Sequence, residues 1–145
     1  MVDVTRIDRI TSREVGANKD PIFSDFYVNL NSHPTTGFLT KYLGADAVKR
    51  SIRNIVLTDT TERMFNPTLG SGIRNLLFEH ISQVTSELIK TKITEVINQH
   101  EPRARIIDVF VVPDESRHLY SVSVVFQVIN TNNPINLNLT LYRVR

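Results

Sequence analysis

Cysteine and tryptophan are both missing from this 145-residue chain, and each absence removes a class of chemistry. Without cysteine there is no disulfide framework, no Cys-ligated zinc and no thiol nucleophile. That composition suits a reducing compartment. Without tryptophan the chain lacks the broadest aromatic platform on which a sugar-binding cleft is usually built. No run approaches the roughly 20 apolar residues that a membrane helix needs. The first ten residues carry Asp3, Arg6, Asp8 and Arg9 and do not read as a signal peptide. Charge of one sign is not in excess either. Seventeen basic and 15 acidic residues give a net charge of +2, without the basic stripe expected of a duplex binder. The composition therefore predicts a soluble chain with no nucleic-acid partner, no membrane partner and no cofactor.

What is present has the size of one domain, large enough to bury a core unaided. Residues 1–21 mix charges of both signs with Gly16, Asn18 and Pro21. They read either as a poorly ordered tail or as an arm that orders on a neighbouring subunit through Val4, Ile7 and Ile10. Residues 22–145 read as a single domain. Within it, residues 23–30 place Phe26, Val28 and Leu30 on one strand face, and residues 38–43 pair back as a second short strand. Ala47, Val48, Ile52, Ile55 and Val56 are spaced for one face of a helix reaching about Thr58, with Lys49, Arg50 and Arg53 facing away. That basic trio is either a solvated face or a docking face for an acidic partner. Residues 59–72, with Met64-Phe65, Pro67, Gly70 and Gly72, predict a compact structured loop and lack the pattern of a phosphate loop.

A helical pattern is expected to begin near Ser71 and to continue through Ile81, Val84, Leu88, Ile89, Ile93, Val96 and Ile97. Glu101-Pro102-Arg103 ends it, because proline has no N–H to continue the ladder and its ring clashes with the preceding turn. The last third is strand-rich. Residues 106–112 are nearly all apolar, as in a central strand covered on both faces. Residues 120–129 and 135–142 alternate, the latter with Ile135, Leu137, Leu139 and Leu141 on one face. The expected fold class is α+β, an antiparallel meander packed by two or three helices.

Few residues offer catalytic chemistry. His33, His80, His100 and His118 lack metal-ligand spacing, and there is no Gly-x-Ser-x-Gly elbow. The enzymatic alternative is a peptidoglycan-acting glycoside hydrolase with Glu101 as acid and Asp108 or Glu62 as partner. Arg103 opposes it, since a neighbouring cation lowers a carboxylate pKa where an acid catalyst needs it raised. Glu101 and Arg103 read equally as a helix-end salt bridge or as a charged pair presented to another protein.

Five pieces occur in consistent order over residues 24–129: Ala47-Val48-Lys49-Arg50-Ser51-Ile52-Arg53-Asn54, Thr58 with Glu62-Arg63, Pro67-x-x-Gly70, Leu76-Leu77-Phe78-Glu79, and Glu101-Pro102-Arg103. Together they resemble the lysozyme-like baseplate wedge proteins of contractile phage tails, whose relatives include a baseplate subunit of type VI secretion systems. Two departures stand out, Thr61 where the family commonly has glycine and His100 where it often has a bulky aromatic. The resemblance implies a structural, non-enzymatic virion protein of the tail baseplate, assembled in the host cytoplasm and present in six copies. It implies a fold like the C-terminal part of tail sheath proteins. It also implies that Glu101, Pro102 and Arg103 meet the helical core bundle of larger wedge proteins, and that the first sheath ring docks by strand exchange. The tail tube or hub are further candidate partners. For the sheath, the edge carrying Ile135, Leu137, Leu139 and Leu141 is one expected docking site, and residues 23–30 are the other. If Arg103 serves only a partner, reversing its charge leaves the stability of the free chain unchanged.

Overall fold

The computed structural model describes residues 23–27, 29–32, 34, 37–129, 131 and 133–144. The expected arm with Val4, Ile7 and Ile10, its boundary at residue 21, Val28 and His33 lie outside the described residues. The chain divides into two compact units, Met1–Gly44 and Ala45–Arg145.

In the first unit, β1 (Ser24–Phe26) and β2 (Lys41–Leu43) form a two-stranded antiparallel sheet with Asp25 opposite Tyr42. The Tyr27 N–H extends the ladder to the Thr40 carbonyl at 2.9 Å, and the Tyr27 and Tyr42 rings stack at 4.7 Å. The strand is shorter than the expected 23–30. Leu30 takes a positive φ of 49°, outside strand geometry, so it does not continue the strand face of Phe26, and both side chains are exposed.

The second unit contains α1 (Ala45–Leu57), α2 (Ile73–Leu76), α3 (Gln83–His100), β3 (Ala104–Asp114), β4 (Leu119–Val128) and β5 (Pro134–Tyr142). Helix α1 forms where periodicity placed it and buries Ala47, Val48, Ile52, Ile55 and Val56. The long helix differs from expectation at its start. A single turn, α2, is followed by a break, and α3 begins anew where the Ser82 hydroxyl accepts the Thr85 N–H at 3.2 Å, an N-cap. Restarting the helix changes which residues face inward. Thr85, Ser86, Ile89, Ile93, Val96 and Ile97 are buried, whereas Val84 and Leu88 of the expected stripe are exposed.

The three C-terminal strands form an antiparallel meander in the order β3-β4-β5. Alternation puts Tyr120, Val122, Val124, Phe126 and Val128 of β4 and Leu137, Leu139 and Leu141 of β5 on the buried face, where α3 packs most closely along β3. The apolar run at residues 106–112 is not the central strand. Among the described residues β3 is an edge, and the register slips between Ile106 and Asp108, so Ile107 is an extra bulged residue that breaks the alternation. Ile107, Phe110 and Val112 consequently face solvent.

Candidate functional site

The Glu101-Pro102-Arg103 junction is built from three elements. The Glu101 N–H still bonds the Ile97 carbonyl at 2.8 Å, so Glu101 closes α3, and Pro102 prevents another turn. The Ala104 N–H then returns to the Glu101 carbonyl at 3.1 Å, which starts β3. Arg103 is fixed through its own carbonyl, which accepts the Ile129 N–H at 3.0 Å. The chain therefore turns from helix to strand in three residues, with the Glu101 N–H and carbonyl and the Arg103 carbonyl held by main-chain bonds.

Within this turn Glu101 is only 2 % exposed, while the Arg103 side chain is 36 % exposed and Pro102 is exposed. Arg103 grips the carboxylate side-on, donating from Nε to Oε1 and from Nη2 to Oε2 at 2.7 Å, a charge-assisted two-point pair. The Ser51 hydroxyl on α1 donates to the same carboxylate. Burial pushes the Glu101 pKa up. The hydrogen bonds from Arg103 and Ser51 and the guanidinium charge together outweigh it and hold the pKa below 4.5. The carboxylate thus stays ionised and ties α1, the end of α3 and the start of β3 together. Of the two readings of this pair, the free chain has the helix-end salt bridge, with Glu101 buried beneath Arg103. Only Pro102 and the outer edge of Arg103 face outward.

The three carboxylates of the hydrolase alternative each engage a different partner, Glu101 with Arg103, Glu62 with the Asp59 N–H and Asp108 with Lys90. A cleft of about 630 Å³ lies beside the start of the 59–72 loop and is lined by Leu57, Ile73, Leu77 and Leu141 with Asp59 and Glu62. Glu101 is not among its lining residues, and the Glu62 carboxylate accepts the Asp59 N–H at 2.9 Å. Asp108 is 3.8 Å from Lys90 Nζ and accepts the Val109 N–H at 2.7 Å. An acid catalyst needs a raised pKa, and Glu101 has a lowered one. Among the described residues, no three His, Asp or Glu side chains converge as metal ligands.

The other expected sites divide. Lys49 and Arg50 are half-buried and Arg53 is exposed, so the basic trio is not one open face. At the expected sheath edge, β5 is an edge of the three-stranded sheet among the described residues, but Leu137, Leu139 and Leu141 point into the core and Ile135 is half-buried. What that edge can offer an incoming strand is its main chain, together with the outward residues Asn136, Asn138 and Thr140. Ser51 was absent from the expected site. Its signal was a polar residue on the apolar stripe of α1, three positions after Val48 and four before Ile55.

The family model for the baseplate wedge protein gp25 matches residues 43–133, more than half of the chain. The chain is 27 % identical over 97 residues to the baseplate wedge protein gp25 of Enterobacteria phage T4, covering 67 % of this chain and 74 % of that protein. A crystal structure from Geobacter sulfurreducens, provisionally named a tail lysozyme, is 29 % identical with a TM-score of 0.64, over 69 % of this chain and 91 % of that one. A chain of the six-fold symmetrised anti-feeding prophage baseplate is 24 % identical with a TM-score of 0.58, over 85 % and 86 % of the two chains, and so shares the fold. The chain belongs to the gp25 family of baseplate wedge proteins.

Proposed function

We propose that this chain is a non-enzymatic wedge component of a contractile-tail baseplate. It docks on a helical bundle of larger wedge proteins through Pro102 and the outward edge of Arg103, and it offers the β5 edge to the first sheath strand. The burial of Glu101 beneath Arg103 carries this reading. A carboxylate held ionised by Ser51 and Arg103 fixes the guanidinium in one orientation, with the Arg103 side chain still 36 % exposed at the turn. Pre-orientation of this kind lowers the entropy lost on docking. A catalytic role for Glu101 has the opposite requirement, an exposed carboxyl with a raised pKa. For the sheath, β5 supports the reading because it runs without a bulge and carries a polar outer face that limits self-association until a partner strand arrives.

Arg103→Lys separates docking from folding. Lysine keeps a cation beside Glu101 but loses the planar fork. The variant is expected to melt within a few degrees of the wild type and to enter assembled wedges at a level reduced about tenfold, the loss of one good charged contact. Wild-type incorporation of Arg103→Lys would remove Arg103 from the interface.

A further inference from the structure

Beyond its last residue β5 is caught by a helix. The Arg143 N–H bonds the His118 carbonyl at 2.9 Å, which continues the β4-β5 ladder past the Tyr142 and Leu119 pair. Main-chain groups in an antiparallel pair alternate in direction, so Leu141 and Arg143 address β4, whereas Thr140, Tyr142 and Val144 turn theirs to the free edge. The Val144 N–H accordingly leaves the sheet and bonds the Leu77 carbonyl at 3.1 Å. The C-terminal end of α2 therefore stands on the free side of β5 and closes that edge after Tyr142.

The cleft of about 630 Å³ lies in the same corner. Its apolar walls are Leu57 at the end of α1, Ile73 and Leu77 at the two ends of α2, and Leu141 with Val144. Tyr120 stands opposite Leu141, and Pro113 stands opposite Tyr120, yet neither lines the cleft, and Tyr120 is fully buried. The cleft hence extends the row Pro113-Tyr120-Leu141 outward, past β5. Its rim carries both signs, Asp59 and Glu62 with Arg74, so position and not charge identifies what enters.

Neighbouring strands lie about 4.8 Å apart, and residues directly opposite each other project on the same face. A strand added along Asn136, Asn138, Thr140 and Tyr142 sets one side chain beside Leu141, at the mouth of the cleft, and α2 stops its pairing there. We infer that the cleft seats a bulky apolar side chain of the sheath strand that pairs with β5, and that cleft and α2 together fix the register of that strand. The inference rests on β5 being the strand acceptor. A slip of one residue turns the seated side chain to the outer face, with Thr140 and Tyr142, and takes its apolar surface out of the cleft.

The test uses baseplates assembled with the full chain and supplied with the sheath protein of the same tail. Leu57→Asp puts a charge into the cleft at a half-exposed position, away from β5 and from the Glu101-Pro102-Arg103 turn. The variant is expected to enter wedges normally and to melt within about 4 °C of the wild type. Sheath attachment falls at least about tenfold. A photo-crosslinking amino acid at position 57, and separately at position 138, is expected to attach the otherwise wild-type chain to the same segment of the sheath protein. Should Leu57→Asp melt early, the crosslink from position 57 decides. Sheath joined from position 138 but not from position 57, or a folded Leu57→Asp that takes sheath like the wild type, overturns the cleft and leaves β5 standing. Sheath joined from position 57 alone overturns the row geometry and with it the inference. Sheath joined from neither position removes both the cleft and the β5 reading beneath it.

Discussion

Removing the charge from Glu101 without changing its shape isolates what the buried carboxylate contributes. Glu101→Gln leaves the Arg103 guanidinium over a neutral amide and weakens the link to Ser51. The expected cost near neutral pH is about 1–3 kcal/mol, less than the loss of a fully buried pair because Arg103 is 36 % exposed. The pH dependence has a fixed sign. The folded-state pKa is lowered from the ordinary carboxylate value, so the unfolded chain binds the proton more readily, and the stabilisation, fully present above the unfolded-state value, is lost as pH falls through the lower folded-state one. Melting curves of wild type and Glu101→Gln therefore differ most near neutrality and converge in acid. A constant gap would place the effect in packing. The same geometry revises the expectation for Arg103, since charge reversal there sets two carboxylates against each other over a buried site and lowers stability. At this scale the sequence made the turn legible through Pro102, whose chemistry is local. Ser51 was not legible as its partner, because a contact between residues fifty positions apart depends on how α1 packs on the end of α3.

Among the elements, the two sheet edges have different defences. β3 carries a bulge at Ile107 and Pro113 near its end, features that interrupt strand addition. β5 runs in unbroken register from Pro134 to Tyr142. Replacing its outward residues Asn136, Asn138 and Thr140 with lysine places charge along that edge and leaves Leu137, Leu139 and Leu141 in the core. The exposed bonds from Ser123 to Asn136 and Asn138 are the main loss to the free chain. Electron microscopy of particles carrying this triple variant is expected to show tubes without sheath. Normal sheathed tails would remove β5 from sheath initiation. The alternation of β4 and β5 was legible because each has one buried face. The mostly apolar run in β3 was misread as a central strand because its bulge hides the period and its outward Phe110 and Val112 remain exposed. The break between α2 and α3 was missed for a related reason. Ile81 and Val84 continued the apolar pattern across it, while the local cap from Ser82 to Thr85 determined the start.

For the whole molecule, the α+β class and the meander follow from pattern, since the long helical periods precede Pro102 and the alternating strands β4 and β5 follow it, with only the short β1 and β2 ahead of the helices. The role of the chain rests on the family and on an acid that is buried and ionised, arranged unlike a hydrolase acid. The most direct measurement is a cryo-EM map of the parent tail at side-chain resolution. The account predicts Arg103 against a helical bundle of larger wedge proteins, with Glu101 still paired beneath it and closed off from solvent. Arg103 facing solvent in the assembled baseplate, or Glu101 swung out into an open cleft, would contradict it.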